Sequence, residues 1–321
     1  MPIHCKTTRQ IVAAGATLLA LQAHAASFDC AKASTRVETT ICADPALGKL
    51  DDDVATAYAA AGDGLDDSMR KRLARSQREW LRIRSTPRDL AGDMKMRLRQ
   101  LQHVMTSING VRFLQLVGDK RPMFVLSAAP GAAAYNHWAD SVWEANSHDL
   151  SPRAAEGVQA KCVADNPATA DNDCMTESVV HAYRTSVPGP GLVSVYEWRS
   201  VDLQAAHPMD ETHHFNWWLS RPGQVTSADI FAGDAYKAVI ARSARDYVQA
   251  NGGEAPKEAV DSVTDPDAWG LFADGMHLSG DGYTFRAGRG EFEITIPWRA
   301  FGSSLRRDFE AALSTGQKAA E

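Results

Sequence analysis

The pattern of apolar and polar positions along the chain changes character twice. Residues 11–21 form an uncharged, mainly apolar run, preceded by Lys6 and Arg9 and followed by Ala23-His24-Ala25. A basic start, a short apolar run and a small-x-small exit occur in the order of a secretory signal, and the run is too short to span a bilayer. This predicts a signal peptide over 1–26, cleaved after Ala25 or Ala26, and Cys5 lies inside it. From residue 35 to 106 apolar residues return at three- and four-residue steps, the period of amphipathic helices. Thr35-Arg36-Val37-Glu38 has the capping-box form and opens a short helix to about residue 42. Asp44-Pro45 starts a second helix, with Leu47, Leu50, Val54, Ala57, Tyr58 and Ala61 on one face, and Gly62-Asp63-Gly64 ends it. A third spans about 66–84, with Leu73, Trp80 and Ile83 as core residues. A fourth, after Pro87, carries Leu90, Met94, Leu98, Leu101 and Met105.

Beyond residue 106 the runs shorten and enrich in Val, Tyr and Trp. Strands are predicted at 111–117, 123–127, 192–201, 213–220, 269–273, 282–286 and 292–296. Helices are predicted at 132–146, 152–161 and 229–251. Val187-Pro188-Gly189-Pro190-Gly191 reads as a turn or linker. The fold class is therefore α+β: a small N-terminal helical domain at 27–106, then a mixed α+β domain at 107–321 with a mainly antiparallel sheet. No segment after the first approaches a membrane span.

Removing the signal leaves Cys30, Cys42, Cys162 and Cys174, an even number in an exported chain. Proximity pairs Cys30 with Cys42 and Cys162 with Cys174, although four cysteines allow three connectivities. The whole chain has 34 basic and 40 acidic residues. The excess acid sits late: residues 107–321 hold 18 basic and 28 acidic side chains. That balance disfavours nucleic acid and suits cationic partners, and it also serves solubility.

His207, Asp210, His213 and His214 are close in sequence. On a strand, His213 and His214 point to opposite faces, so at most one joins His207. No H-E-x-x-H, G-x-S-x-G or phosphate loop occurs, and no metal, cofactor or catalytic residue is expected. Trp217 and Trp218 place one ring on each face of a strand. One is expected in the core. The other is a candidate exposed anchor for a partner or a sugar, or part of a second buried layer.

Several short motifs recur in order in the first region. They are Ser27-Phe28-Asp29-Cys30-Ala31-Lys32-Ala33, Val37-Glu38, Ile41-Cys42-Ala43-Asp44-Pro45, Leu47, Leu50-Asp51, Tyr58, Gln77-Arg78 and Trp80-Leu81. With these motifs, residues 27–106 resemble the N-terminal domain of the LprI lysozyme-inhibitor family. That family commonly has a second cysteine pair after the Gln-Arg-x-Trp helix and in the next helix, and both are missing here. Their joint absence implies that the two pair together, leaving Cys30 for Cys42.

In the second region the motifs are His207-Pro208, His214-Phe215-Asn216-Trp217, Ile230-Phe231-Ala232-Gly233-Asp234, Trp269-Gly270-Leu271-Phe272 and Ile296-Pro297-Trp298. They resemble the extracellular domain shared by the anti-sigma factor RsiV and the non-catalytic part of the deacetylase PdaC. The usual Gly-Gly-Ala-His-Pro is Gln204-Ala205-Ala206-His207-Pro208 here. Together the resemblances imply a periplasmic or secreted binding protein whose partner is a lysozyme-type peptidoglycan hydrolase. His207, Asp210, Glu211, Trp217 and Trp218 are its candidate contact residues. The alternative is a peptidoglycan- or glycan-binding module.

Overall fold

The structure, a computed structural model, describes residues 26–84, 89–118, 120–146, 178–202, 209–281 and 291–314. The cleavage segment before residue 26, Cys162, Cys174, His207, the helix expected at 152–161 and the strand expected at 282–286 lie outside the described residues.

A turn at Cys30–Lys32 leads into α1 (Arg36–Ala43), α2 (Pro45–Gly62), α3 (Asp67–Ile83) and α4 (Leu90–Gln102). Each of these helices begins at a side chain that accepts one of its otherwise free first N–H groups. Thr35 Oγ1 accepts from the Glu38 amide at 3.2 Å, and the Glu38 carboxylate accepts from the Thr35 amide at 2.9 Å. This is the reciprocal box expected from the sequence. Backbone donation from Ser34 and Thr35 holds the Glu38 carboxyl below its ordinary pKa. Asp44, Asp66 and Asp89 cap the next three helices. The Cys30–Cys42 disulfide ties the first turn to α1.

The fourth helix stops short of its predicted end. Met105 is 42 % exposed, on β1 (Met105–Ile108). Asn109 and Gly110 both take positive φ and turn the chain into β2 (Val111–Leu114). An Asn-Gly turn matches the twist of two antiparallel strands, so pairing overrides the helical period at Met105. β3 (Phe124–Val125) pairs with β2, and α5 (Pro130–Ala145) packs beside it. Asn136, buried in α5, accepts from the Val125 amide at 2.8 Å and donates to the Val125 carbonyl at 3.0 Å. One side-chain amide thus completes the strand's pairing.

The second sheet is an antiparallel β4 (Ser178–Ser186), β5 (Leu192–Asp202) and β6 (Met209–Trp218). The expected turn at 187–191 joins β4 to β5. The long helix predicted over 229–251 is two: α6 (Ser227–Ile230) and α7 (Ala235–Ala250). Gly233, at φ +81°, lies between them. After α8 (Lys257–Ser262), β7 (Trp269–Leu271), β8 (Gly275–Asp281) and β9 (Glu291–Pro297) form a third antiparallel sheet, and α9 (Arg307–Ser314) follows. The architecture is a helical N-terminal region followed by mixed helices and antiparallel sheets, as the sequence predicts.

The buried residues form two clusters. One joins Ile41, Val54, Met69, Leu73 and Met94 of the helices to Phe113, Phe124, Tyr135 and Trp143, and then to Val193, Val195 and Trp217. The other gathers Leu192, Trp218, Ile240, Trp269, Leu278, Ile296 and Phe309. The sheet β4–β5–β6 is the wall between them, contributing one face to each.

Candidate functional site: a cleft between two sheets

The two faces of β4–β5–β6 have different chemistry. The face toward α5 carries Val193, Val195 and Trp217, with a polar network at its margin. There Glu197 accepts from Tyr183 at 2.5 Å and lies 3.0 Å from His181 Nδ1, and Asn146 donates to the Tyr183 hydroxyl at 2.9 Å. Burial pushes the Glu197 carboxyl up, but the hydrogen bonds from His181 and Tyr183 outweigh it, and its pKa is lowered. Burial, and then the Glu197 carboxylate, push the Tyr183 phenol well up.

The opposite face meets β7 through side chains. Residues Trp269 and Leu271 turn their peptide groups away from β8 toward this face. Asn216 Nδ2 donates to the Trp269 carbonyl at 2.7 Å. The Leu271 amide donates to Ser194 Oγ at 3.1 Å, and Ser186 Oγ donates to the Leu271 carbonyl at 2.7 Å. An open strand edge is a row of unpaired donors and acceptors, and three short polar side chains satisfy it here. The close approach depends on Gly270, where a Cβ would stand 2.7 Å from His214 Cε1.

Beyond this seam the sheets part around a cavity of about 530 Å³. Arg184, Tyr196, Trp198 and His214 line one wall, and Phe272, His277, Ser279 and Glu293 line the other. Phe272 stacks on His277 with centroids 4.0 Å apart. His277 Nδ1 lies 2.8 Å from Glu293 and its Nε2 lies 3.0 Å from Asp274. The guanidinium of Arg184 stands over the Tyr196 ring at 6.0 Å and has no carboxylate partner among the described residues.

His214 and Ser279 form a hydroxyl–imidazole pair, with Nε2 2.7 Å from Oγ. Burial, with His277 and His213 nearby, lowers the His214 pKa to about 3. Ser279 Oγ also lies 3.4 Å from Thr212 Oγ1, and His214 Nδ1 has no hydrogen-bond partner among the described residues. A nucleophile's base needs a pKa near the working pH and a group that orients it. Burial moves His214 away from that range, and among the described residues no group orients it through Nδ1. Among the described residues, no three His, Cys, Asp or Glu side chains gather as metal ligands.

The residues singled out in the sequence do not converge here. Asp210 and Glu211 are exposed near the start of β6, and Glu211 accepts from Arg199 at 2.7 Å. His213 is exposed and His214 buried, as opposite faces require. Trp217 and Trp218 are only 6 % and 7 % exposed, one in each cluster. Neither is available as a surface anchor, because both faces of β6 are covered at its C-terminal end. Arg184, Tyr196, Trp198 and Phe272 were not anticipated. The signal for the first three is the alternation that puts Arg184 of β4 on one face with Tyr196 and Trp198 of β5, legible only once the register is known.

No curated protein matches the chain. Among solved structures, a DUF3298 family protein from Pseudomonas aeruginosa PAO1 is 15 % identical, with 50 % of this chain and 80 % of that one covered at a TM-score of 0.34. A DUF3298 family member from Bacteroides fragilis NCTC 9343 is 18 % identical, with 59 % and 75 % covered at a TM-score of 0.36. Residues 29–116, which hold the cystine-tied helical region and the first hairpin, match the model of the family described as lysozyme inhibitor LprI.

Proposed function

We propose that this chain is exported to the periplasm or beyond and there binds and inhibits a lysozyme-type peptidoglycan hydrolase. The observation that carries this reading is the match of residues 29–116 to a family of lysozyme inhibitors. The acidic excess of residues 107–321 supports it, because a negative surface steers a basic enzyme into encounter and loses that effect in salt. Residues 27–106 and 107–321 act as two domains in this reading. The exposed Asp210 and Glu211, with His207, form its candidate contact, and the buried Trp217 and Trp218 do not take part. The partner's origin, whether own, host or rival, does not change the surface chemistry required.

The full chain, exported and purified from the periplasm, is titrated into cell-wall lysis assays with a panel of muramidases at low and moderate salt. Inhibition that weakens with salt is expected. Lysis unchanged at every ratio with every enzyme would remove the proposal. A second reading, glycan binding without inhibition, is favoured by the aromatic walls of the cleft. Sedimentation with purified sacculi tests it.

A further inference from the structure

We propose that the cleft between β4–β5–β6 and β7–β8–β9 is a binding site for an acidic saccharide, a sugar ring that carries a carboxylate. This gives the glycan-binding reading a site and a ligand chemistry, and it stands apart from the inhibitory one. Four observations combine. The cavity, about 530 Å³, lies within the roughly 300–1,000 Å³ of small-molecule sites. Its walls include aromatic faces: the ring of Trp198, the ring of Tyr196 with Arg184 over it, and the ring of Phe272, one face of which His277 covers. Such faces suit the C–H side of a pyranose, an apolar surface ringed by polar groups. Glu293 offers carboxylate acceptors to sugar hydroxyls, and its contact with His277 at 2.8 Å fixes its place.

The fourth observation sets the ligand's charge. Arg184 is the cation of the cleft that no described carboxylate neutralises, and it is exposed at the rim on the same face as Tyr196 and Trp198. A guanidinium presents a planar fork of donors that matches a carboxylate bidentately. An aromatic wall alone would take any sugar. The same wall beside a guanidinium that no described carboxylate neutralises prefers the sugar that brings its own anion. His214, in the same wall, is buried, and burial disfavours its charged form, so it adds no second cation to compete for it.

The test uses the purified full chain and two probes, N-acetylmuramic acid and N-acetylglucosamine, which share a ring and an acetamido group and differ in the lactyl carboxylate. Calorimetry should show saturable binding of the first, and binding about tenfold or more weaker for the second. Arg184→Gln should lower the affinity for N-acetylmuramic acid to that for N-acetylglucosamine, and Trp198→Ala should weaken both. Arg184 is exposed, so its variant is checked for an unchanged circular dichroism spectrum. Absence of saturable binding by the unmodified chain overturns the proposal, as does equal affinity for the two probes. If the chain sediments with sacculi but binds neither probe, the cleft assignment fails while the broader glycan reading survives. Inhibition of lysis by Arg184→Gln separates this site from the hydrolase surface.

Discussion

Replacing Ser194 with Ala and Asn216 with Leu tests whether side chains hold the outer edge of β7. Both residues are buried, at 2 % and 5 % exposure, and they act on neighbouring peptide groups. Ser194 Oγ is the acceptor for the Leu271 amide at 3.1 Å, and Leu271 is fully buried. Ser194→Ala leaves that N–H without a partner and without water, which costs about 1–3 kcal/mol. Asn216→Leu removes the 2.7 Å bond to the Trp269 carbonyl, but it also removes Oδ1, a buried acceptor with no partner. The two effects oppose, and a carbonyl tolerates loss of one donor better than an amide tolerates loss of its acceptor. The net cost should stay below that of Ser194→Ala, since removing the unpartnered Oδ1 offsets part of the lost bond. The smaller substitution is therefore the more damaging. Urea denaturation supplies the two stability changes, and hydrogen exchange at Leu271 should accelerate by about tenfold for each 1.4 kcal/mol of local opening. The reasoning is refuted if Asn216→Leu costs more than Ser194→Ala, or if Leu271 exchange is unchanged in Ser194→Ala.

Three other outcomes are expected. Gly131→Ala should destabilise by about 3 kcal/mol or more in thermal melts, because its Cβ would stand 1.8 Å from the Trp218 carbonyl oxygen and must push α5 off β6. Replacing both Cys30 and Cys42 with Ala should cost about 3 kcal/mol by the loop-entropy relation, given their sequence separation of 12, and added reductant should no longer lower the melting temperature. The unfolded chain protonates His214 near pH 6.5 but the folded chain only near pH 3, so falling pH favours unfolding across that window. Stability should drop by at most about 1.4 kcal/mol per pH unit from this group, and His214→Gln should flatten the slope relative to the unmodified chain.

The helical region was legible because its signals are local. The Thr35–Glu38 box, Asp44-Pro45 and the three-to-four spacing of Val54, Ala57 and Ala61 each act within one element. The errors lie where a partner outside the element decides. Met105 continues the period of α4, yet Asn109-Gly110 commits it to a hairpin. Gly233 divides what composition alone would join as one helix. β4 was missed because Ser178–Ser186 mixes polar and apolar residues on both faces, as a strand does when each face meets a different neighbour. The adjacent tryptophans show the same limit. Alternation correctly sends Trp217 and Trp218 to opposite faces. It cannot say that both faces are covered, and that fact decides whether either ring meets solvent.

The polar residues of β4–β5–β6 follow from this two-sided burial. A sheet with one wet face can carry polar side chains freely. Here Ser186, Ser194 and Asn216 face a second sheet, where each must find a partner or incur a desolvation cost. They find it in the buried peptide groups of β7 that β8 leaves unpaired, as Asn136 finds β3's. These contacts hold the sheets together at one end, near Gly270. At the other end the side chains lengthen to Arg184, Tyr196 and Trp198, which cannot fit against a backbone, so the sheets part. The helical region is tied to the same sheet by α5, whose Asp140 accepts from Arg72 at 2.6 Å and from Arg75 at 2.8 Å. Those arginines lie over Phe124 and Trp143, so the ion pairs and the apolar core share atoms. The cleft and the helical region are thus built on opposite faces of one wall. Seam residues at Gly270 should affect the cleft first, and residues around Asp140 the helices first.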